Sequence, residues 1–173
     1  MNNSSEQFKE PENSLNVLEF LRVAHEYCIF IEKAGEKDIS STFDFILKIG
    51  PLLYLKGKLL PEITPDYPGS SERFVTEEEW QEVFNSLRQH FGNEDEYHHV
   101  NYEEHNEFEA VKASLAENLT DIYQDLKDFI LLYQKNSSFA RQNAVHDCSS
   151  LFSICMFPLS AIGNYLHLPA TSF

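Results

Sequence analysis

Four acids, Glu117, Asp121, Asp125 and Asp128, follow one another at steps of four, four and three in the stretch VKASLAENLTDIYQDLKDFILLY (111–133). On a helix that spacing brings all four carboxylates to one side. Metal-dependent helical phosphohydrolases use acids in this way, holding Mg²⁺ or Mn²⁺ with carboxylates and leaving positions open for substrate phosphates. Such enzymes need acids from a second, facing helix. The first predicted helix offers Glu26 and Glu32, which are six residues apart and fall on different faces. With Ile122 as the centre of the buried face, Asn118 and Asp125 lie nearest it, roughly 40–60° away at 100° per residue. Asp121 and Asp128 lie further out, at roughly 100–120° on the same wheel. The ladder therefore reads first as a solvated flank. Its second reading is that Asn118 and Asp125 hydrogen-bond inside the bundle to Tyr or backbone groups, within a candidate polar cluster or ligand site of Glu117, Asn118, Asp121 and Asp125. Metal chemistry with Mg or Mn comes third, and the primary expectation is no cofactor and no catalytic residue.

Weaker constellations lie elsewhere. His98, His99 and His105 stand among Glu94, Asp95, Glu96, Glu103 and Glu104, and imidazoles with carboxylates suit zinc-like ions. Glu96-Tyr-His-His99 contains a single Glu-x-x-His, where di-iron bundles carry two. One copy in a predicted loop makes a solvated loop that charges below about pH 6.5 the better reading. His25 and His146 lie near Cys28 and Cys148, but a Cys–His nucleophile needs an exposed, activated thiol. The chain has no Gly-rich phosphate loop, no Gly-x-Ser-x-Gly and no basic aromatic-interleaved patch.

The elements that must carry these residues follow from periodicity. Leu115, Leu119, Ile122, Leu126, Phe129 and Tyr133 recur at helical spacing and predict a long helix from about residue 108 to 134. A first helix is predicted over 15–33, with Ser14 placed to cap it, Gly35 just past its end, and Val17, Phe20, Leu21, Ala24, Tyr27, Cys28 and Ile31 buried. Residues 42–60 are apolar nearly all round, which predicts a central helix kinked or split at Gly50-Pro51. Pro61, Pro65 and Pro68 impose a loop through about residue 75. Thr76 with Glu77, Glu78 and Glu79 is a strong helix start, Trp80, Val83, Phe84, Leu87 and Phe91 give that helix its apolar face, and Gly92 ends it. Residues 93–106 read as a loop. A last helix is expected from about 139 to 167, kinked at Pro158 and stopped at Pro169. The fold class is all-α, a single-domain bundle of about five helices. Residues 1–13 are expected as a disordered leader, 14–168 as the helical domain and 169–173 as a tail.

The 173 residues are about one domain's worth, and 42% apolar with 13% aromatic content supplies a sizeable core. The net charge of −15 repels phosphate, which argues against nucleic acid and anionic lipid as partners. From Glu77 to Glu109 eleven acids face one base, Arg88, so this window alone carries −10. No apolar run is long enough for an ordinary membrane span, and the N-terminus lacks the features of a signal peptide. Three cysteines without a Cys-x-x-Cys read as reduced core thiols of a cytoplasmic protein.

The segments LRVAHEYCIFIEKA (21–34), LKIGPLLYLKGKLLPE (47–62), FVTEEEW (74–80) and LAENLTDIYQDLKDFI (115–130) together resemble a family of bacterial helical domains of unknown function common in the Bacteroidetes group. PLLYLK (51–56) and DIYQDLKDF (121–129) are the specific parts of the likeness. The resemblance implies a helical fold and a cytoplasmic bacterial setting, and no activity. The stretch FSICMFPLSAIGNYLHLP (152–169) departs from the family pattern. It is apolar on almost every side, and Phe152, Ile154, Met156, Phe157, Leu159 and Ile162 are expected to form an interface to a protein partner or a homodimer. The sequence alone leaves the function unknown. It favours a non-enzymatic module that acts by protein–protein contact, with a divalent-metal phosphohydrolase as the alternative.

Overall fold

The helix α4 (Leu115–Tyr133) is the spine of the domain, because the other elements pack around most of its circumference. Leu115, Leu119, Leu126, Phe129 and Ile130 are almost wholly buried along it. The computed structural model describes residues 10–68, 73–101 and 109–154, with backbone alone at 99–101, 109–111 and 152–154. Around α4 stand α1 (Leu15–Glu32), α3 (Glu77–Phe91) and α5 (Ser138–Ile154), while α2 (Ile39–Lys58) packs on α1 and α5. The architecture is the expected all-α single-domain bundle, with five α-helices among the described residues.

Local chemistry accounts for most of these elements. The Thr76 hydroxyl accepts from the Glu79 amide and the Glu79 carboxylate accepts from the Thr76 amide, so α3 opens with the predicted capping box. Gly92 closes α3 with φ near 53°, a conformation that favours glycine. Asp38 caps α2 by accepting the Ser41 amide at 2.8 Å. Ser14 occupies the N-cap of α1, but its hydroxyl is buried without a partner and does not cap. Gly35 lies in a 3₁₀ turn (Ala34–Glu36) that comes so close to α3 that a Cβ there would stand 2.9 Å from Ser86 Oγ.

The helices α1 and α2 run antiparallel. Asn16 Nδ2 donates to the Leu59 carbonyl at 3.0 Å, Lys56 pairs with Glu19 at 2.5 Å, and the rings of Phe30 and Phe45 stack with centroids 3.7 Å apart. The proline-rich strand of chain after α2 then lies along α5. His146 Nδ1 donates to the Ile63 carbonyl at 2.8 Å, and Asn143 Nδ2 donates to the Tyr67 carbonyl at 3.1 Å. Tyr27, buried in α1, donates to the Leu119 carbonyl at 2.9 Å and ties the first helix to the spine.

Four expectations need correction. First, α2 is peripheral and continuous through Pro51, and α4 holds the centre. Its sequence looks apolar all round because part of its outer face is apolar and open to solvent. Secondly, residues 93–106 are not simply a loop. Glu96–Asn101 forms β1, which pairs antiparallel with β2 (Glu109–Ser114) in the register Glu96↔Ser114 to Asn101↔Glu109. Thirdly, α4 begins at Leu115, not near Phe108, because Ser114 caps it by accepting the Glu117 amide at 3.1 Å. Fourthly, the folded body reaches into the expected leader. Pro11–Asn13 forms a 3₁₀ turn, Glu12 is buried, and Tyr133 donates to the Glu12 carbonyl at 3.0 Å. The kink at Pro158 and the tail at 169–173 lie outside the described residues. No helix among the described residues is long and apolar enough to cross a membrane.

Candidate functional site

The carboxylate ladder of α4 meets a different element at almost every rung. Glu117 is exposed at the start of the helix. Asn118 Nδ2 donates to Tyr97 Oη on β1 at 2.6 Å. Asp121 accepts from the Trp80 indole of α3 at 3.0 Å. Asp125 and Asp128 both face Arg73, whose Nη1 lies 3.1 Å from Asp125 Oδ1 and 3.4 Å from Asp128 Oδ2. Asp128 Oδ1 also accepts the backbone amides of Phe74 and Val75, at 2.8 and 2.9 Å.

This geometry reverses part of the helical-wheel expectation. Asp128, placed furthest out with Asp121, is the most buried carboxylate of the ladder, at 9% exposure. The segment 73–75 folds across it, and two buried amides need an acceptor there. Ile122 is only half-buried, so the true core face runs through Leu119, Tyr123, Leu126 and Ile130. Glu32 does reach α4, but on the other side, where it accepts from Tyr123 Oη at 2.9 Å and pairs with Lys127 at 2.7 Å.

Below Arg73 a cavity of about 320 Å³ opens between α4 and α5. Asp125, Asp128, Phe129 and Leu132 line it from α4, and Ala144, Asp147, Cys148, Ser150 and Leu151 from α5. Asp147 is thus the acid from a second helix that sequence reading did not find. Burial pushes the Asp125 carboxyl above its usual range, Arg73 opposes that, and the negative charges of Asp121 and Asp128 add to it. Burial likewise raises Asp121, partly offset by the Trp80 hydrogen bond. Among the described residues, no three His, Cys, Asp or Glu side chains come together in a way that could hold a metal ion. The ladder reaches a cavity, but its carboxylates are spent on the indole, the guanidinium and the backbone amides.

The remaining candidates separate. His98 sits on β1, paired in register with Lys112, and the His99 side chain and His105 lie outside the described residues. Cys28 and Cys148 are free and buried, with burial pushing Cys28 up to about 12 and Cys148 well above its usual value. Such thiols are protonated near neutral pH and make poor nucleophiles. His25 is exposed, and His146 is committed to the Ile63 carbonyl. Phe152 and Ile154 belong to the last turn of α5 by backbone. Their side chains, with Met156, Phe157, Leu159 and Ile162, lie outside the described residues.

Three polar residues have roles that the sequence reading did not give them. Asp95, 4% exposed, accepts the Ser114 hydroxyl at 2.9 Å and the Ala116 amide at 2.8 Å, so it closes the N-terminus of α4 from a distance of twenty residues. Arg73 and Asp147 flank the cavity. In the sequence Asp95 is one acid in an acidic run, and nothing local distinguishes it from its neighbours.

Residues 11–153 match the model of a Domain of unknown function, DUF5063. The fold is similar to the crystal structure of protein BF1032 from Bacteroides fragilis, with 31% identity and a TM-score of 0.77. That match covers 92% of this chain and 97% of the other. Comparison with the curated proteins finds no match. The resemblance carried by PLLYLK, FVTEEEW and DIYQDLKDF holds.

Proposed function

This chain belongs to the DUF5063 family, and we propose that it is a non-enzymatic, cytoplasmic bacterial module that acts by protein–protein contact through the outer face of α2. The carrying observation is that Leu47, Leu52, Tyr54 and Leu55 of α2, with Leu59 just past its end, are 38–56% exposed. Single exposed leucines are ordinary. Several large apolar side chains along one outer face, though Asp44, Lys48 and Lys58 stand among them, make an apolar stripe that marks a contact surface on a charged protein. Leu15, 64% exposed, extends the stripe, because Asn16 beside it is bonded to the Leu59 carbonyl. The neighbour from Bacteroides fragilis supports the bacterial setting, and the free buried thiols of Cys28 and Cys148 support the cytoplasmic one.

The metal-dependent alternative has less support. An Mg²⁺ or Mn²⁺ ion at Asp121 and Asp125 would have to displace the Trp80 indole and Arg73. Thermal stabilisation by millimolar metal that Asp125→Asn abolishes would favour it.

The contact reading is tested with a photo-crosslinking residue at position 55, and at position 78 on α3 as control, in purified protein mixed with lysate of the source cells. A discrete adduct is expected from position 55 and none from position 78. No adduct at 55 above the control would refute it.

A further inference from the structure

We propose that the α2 face binds a second copy of this chain, packed antiparallel about a two-fold axis that passes by Pro51. The inference rests on the contact-module reading and adds to it the identity of the partner.

Asp44, Leu47, Pro51, Leu55 and Lys58 are all exposed. They follow one another at steps of three, four, four and three. At 100° per residue all five fall within about 80° of one another, so they form a single narrow stripe about 21 Å long. The order of steps reads the same from either end, and Pro51 is its midpoint. A two-fold axis there brings each Leu47 against the other copy's Leu55, and each Asp44 against the other copy's Lys58. A surface of this kind is self-complementary, as an isologous interface requires. The stripe is apolar at its centre and carries opposite charges at its two ends, so the antiparallel arrangement is attractive and a parallel one would set like charges together.

The neighbouring groups permit this. Asp44 is bonded to Lys48 of its own helix at 2.6 Å, but both side chains are largely exposed, so that pair is weak and can be shared. Lys58 has no ion-pair partner among the described residues. Pro51 has no long side chain to hold two helices apart, and helices in contact stand about 8–10 Å apart. The net charge of −15 opposes self-association in general, yet α2 itself carries Lys48, Lys56 and Lys58 against Asp44, and its contact with α3 is far from the acidic N-terminal run of that helix. The helix α3 meets α2 near its own C-terminus, where His90 lies 3.0 Å from Thr42 and the Phe91 ring faces Phe43 at 5.6 Å. The nearest acid of that N-terminal run, Glu82, is eight residues back from His90, about 12 Å along the axis. That exceeds the Debye length of about 8 Å at physiological salt.

One helix per copy makes a small interface, below about 1,200 Å² in total, so association belongs at roughly 10–100 µM. Sedimentation equilibrium of the full chain across that range is expected to show mass rising from 20.1 kDa towards twice that value. Leu55→Asp should abolish the rise without lowering the unfolding temperature. Asp44→Lys alone and Lys58→Asp alone should each weaken association roughly tenfold, and the double reversal should restore it. Pro51→Cys should give a disulfide-linked dimer under mild oxidation. A chain that stays at 20.1 kDa throughout, or a double reversal no better than either single one, overturns the second-copy assignment. In that event an adduct of another mass from position 55 leaves the contact reading standing, and the absence of any adduct removes both.

Discussion

Replacing Asp128 by alanine should unfold much of the margin on which this domain rests, whereas the same change three residues earlier should not. Asp128 Oδ1 accepts two backbone amides, Phe74 at 2.8 Å and Val75 at 2.9 Å, in a setting where the residue is 9% exposed. Hydrogen bonds to a charged acceptor contribute about 1.5–3 kcal/mol each, and the alanine leaves both donors without a partner. The contact with Arg73 is 3.4 Å long and that guanidinium is 65% exposed, so it adds little. The expected loss is therefore about 3–5 kcal/mol, against a typical total of about 5–15 kcal/mol. For a domain of this size that lowers the melting temperature by roughly 6–20 °C. Asp125→Ala removes one ion pair with the same exposed arginine and should cost less than about 1 kcal/mol. Urea unfolding followed by circular dichroism, with both variants measured beside the parent, gives the two values. A loss below about 1 kcal/mol for Asp128→Ala, or equal losses for the two variants, would show that the amides of 74 and 75 find another acceptor and that the ladder does not fasten this segment.

Two further outcomes concern other acids on or against α4. Because the folded-state pKa of Asp125 is raised, its ionised form disfavours folding. Stability linked to it is complete below the ordinary carboxylate range and is lost as pH rises through the raised value. Asp125→Asn should thus be more stable than the parent at pH 7, with the gain vanishing on acidification, as thermal melts at a series of pH values would show. A gain that persists in acid would contradict this. Asp95→Ala should cost about 2–3 kcal/mol, since it strips acceptors from the Ser114 hydroxyl and the Ala116 amide. Hydrogen exchange should quicken first in the opening turn of α4, and unchanged protection there would count against Asp95 as its cap.

The sequence reading succeeded chiefly where the deciding interaction is local, although the Ser114 cap that starts α4 and the idle Ser14 hydroxyl at α1 are local exceptions. Val17, Phe20, Ala24, Tyr27, Cys28 and Ile31 are as buried as their 3.6-residue spacing requires, because one helical face dictates all six. The start of α3 was legible because Thr76 and Glu79 satisfy each other within one turn. It failed where the partner is distant in the chain. The amides that bury Asp128 come from 53 and 54 residues away, and no pattern within α4 announces them. The hairpin of β1 and β2 was missed because Glu96–Asn101 does not alternate cleanly between apolar and polar residues. What marks the strand is Tyr97, 3% exposed, pointing inward to Asn118. The outer face of α2 was hidden for the opposite reason. A helix apolar all round is read as buried all round, and composition cannot distinguish a core face from a contact face.

The two halves of that comparison bear on function together. A metal site and a structural rail make the same demand on sequence, namely acids at steps of four and three on one helix. They differ in what meets the carboxylates. Here Asn118 fastens β1, Asp121 fastens α3, and Asp125 with Asp128 fastens the segment before α3. Asn118 and Asp121 each hold a separate element and Asp125 and Asp128 share a third, and the four residues are spread along about 15 Å of α4 at 1.5 Å per residue. An ion at Asp121 and Asp125 would have to compete with the Trp80 indole and the Arg73 guanidinium that already occupy those carboxylates. The side of α4 that looked most chemical therefore accounts for the assembly of the bundle. The residues left without a structural purpose are Leu47, Leu52 and Leu55 of α2, which sequence reading had placed in the core, and the proposed function by contact is to be sought there.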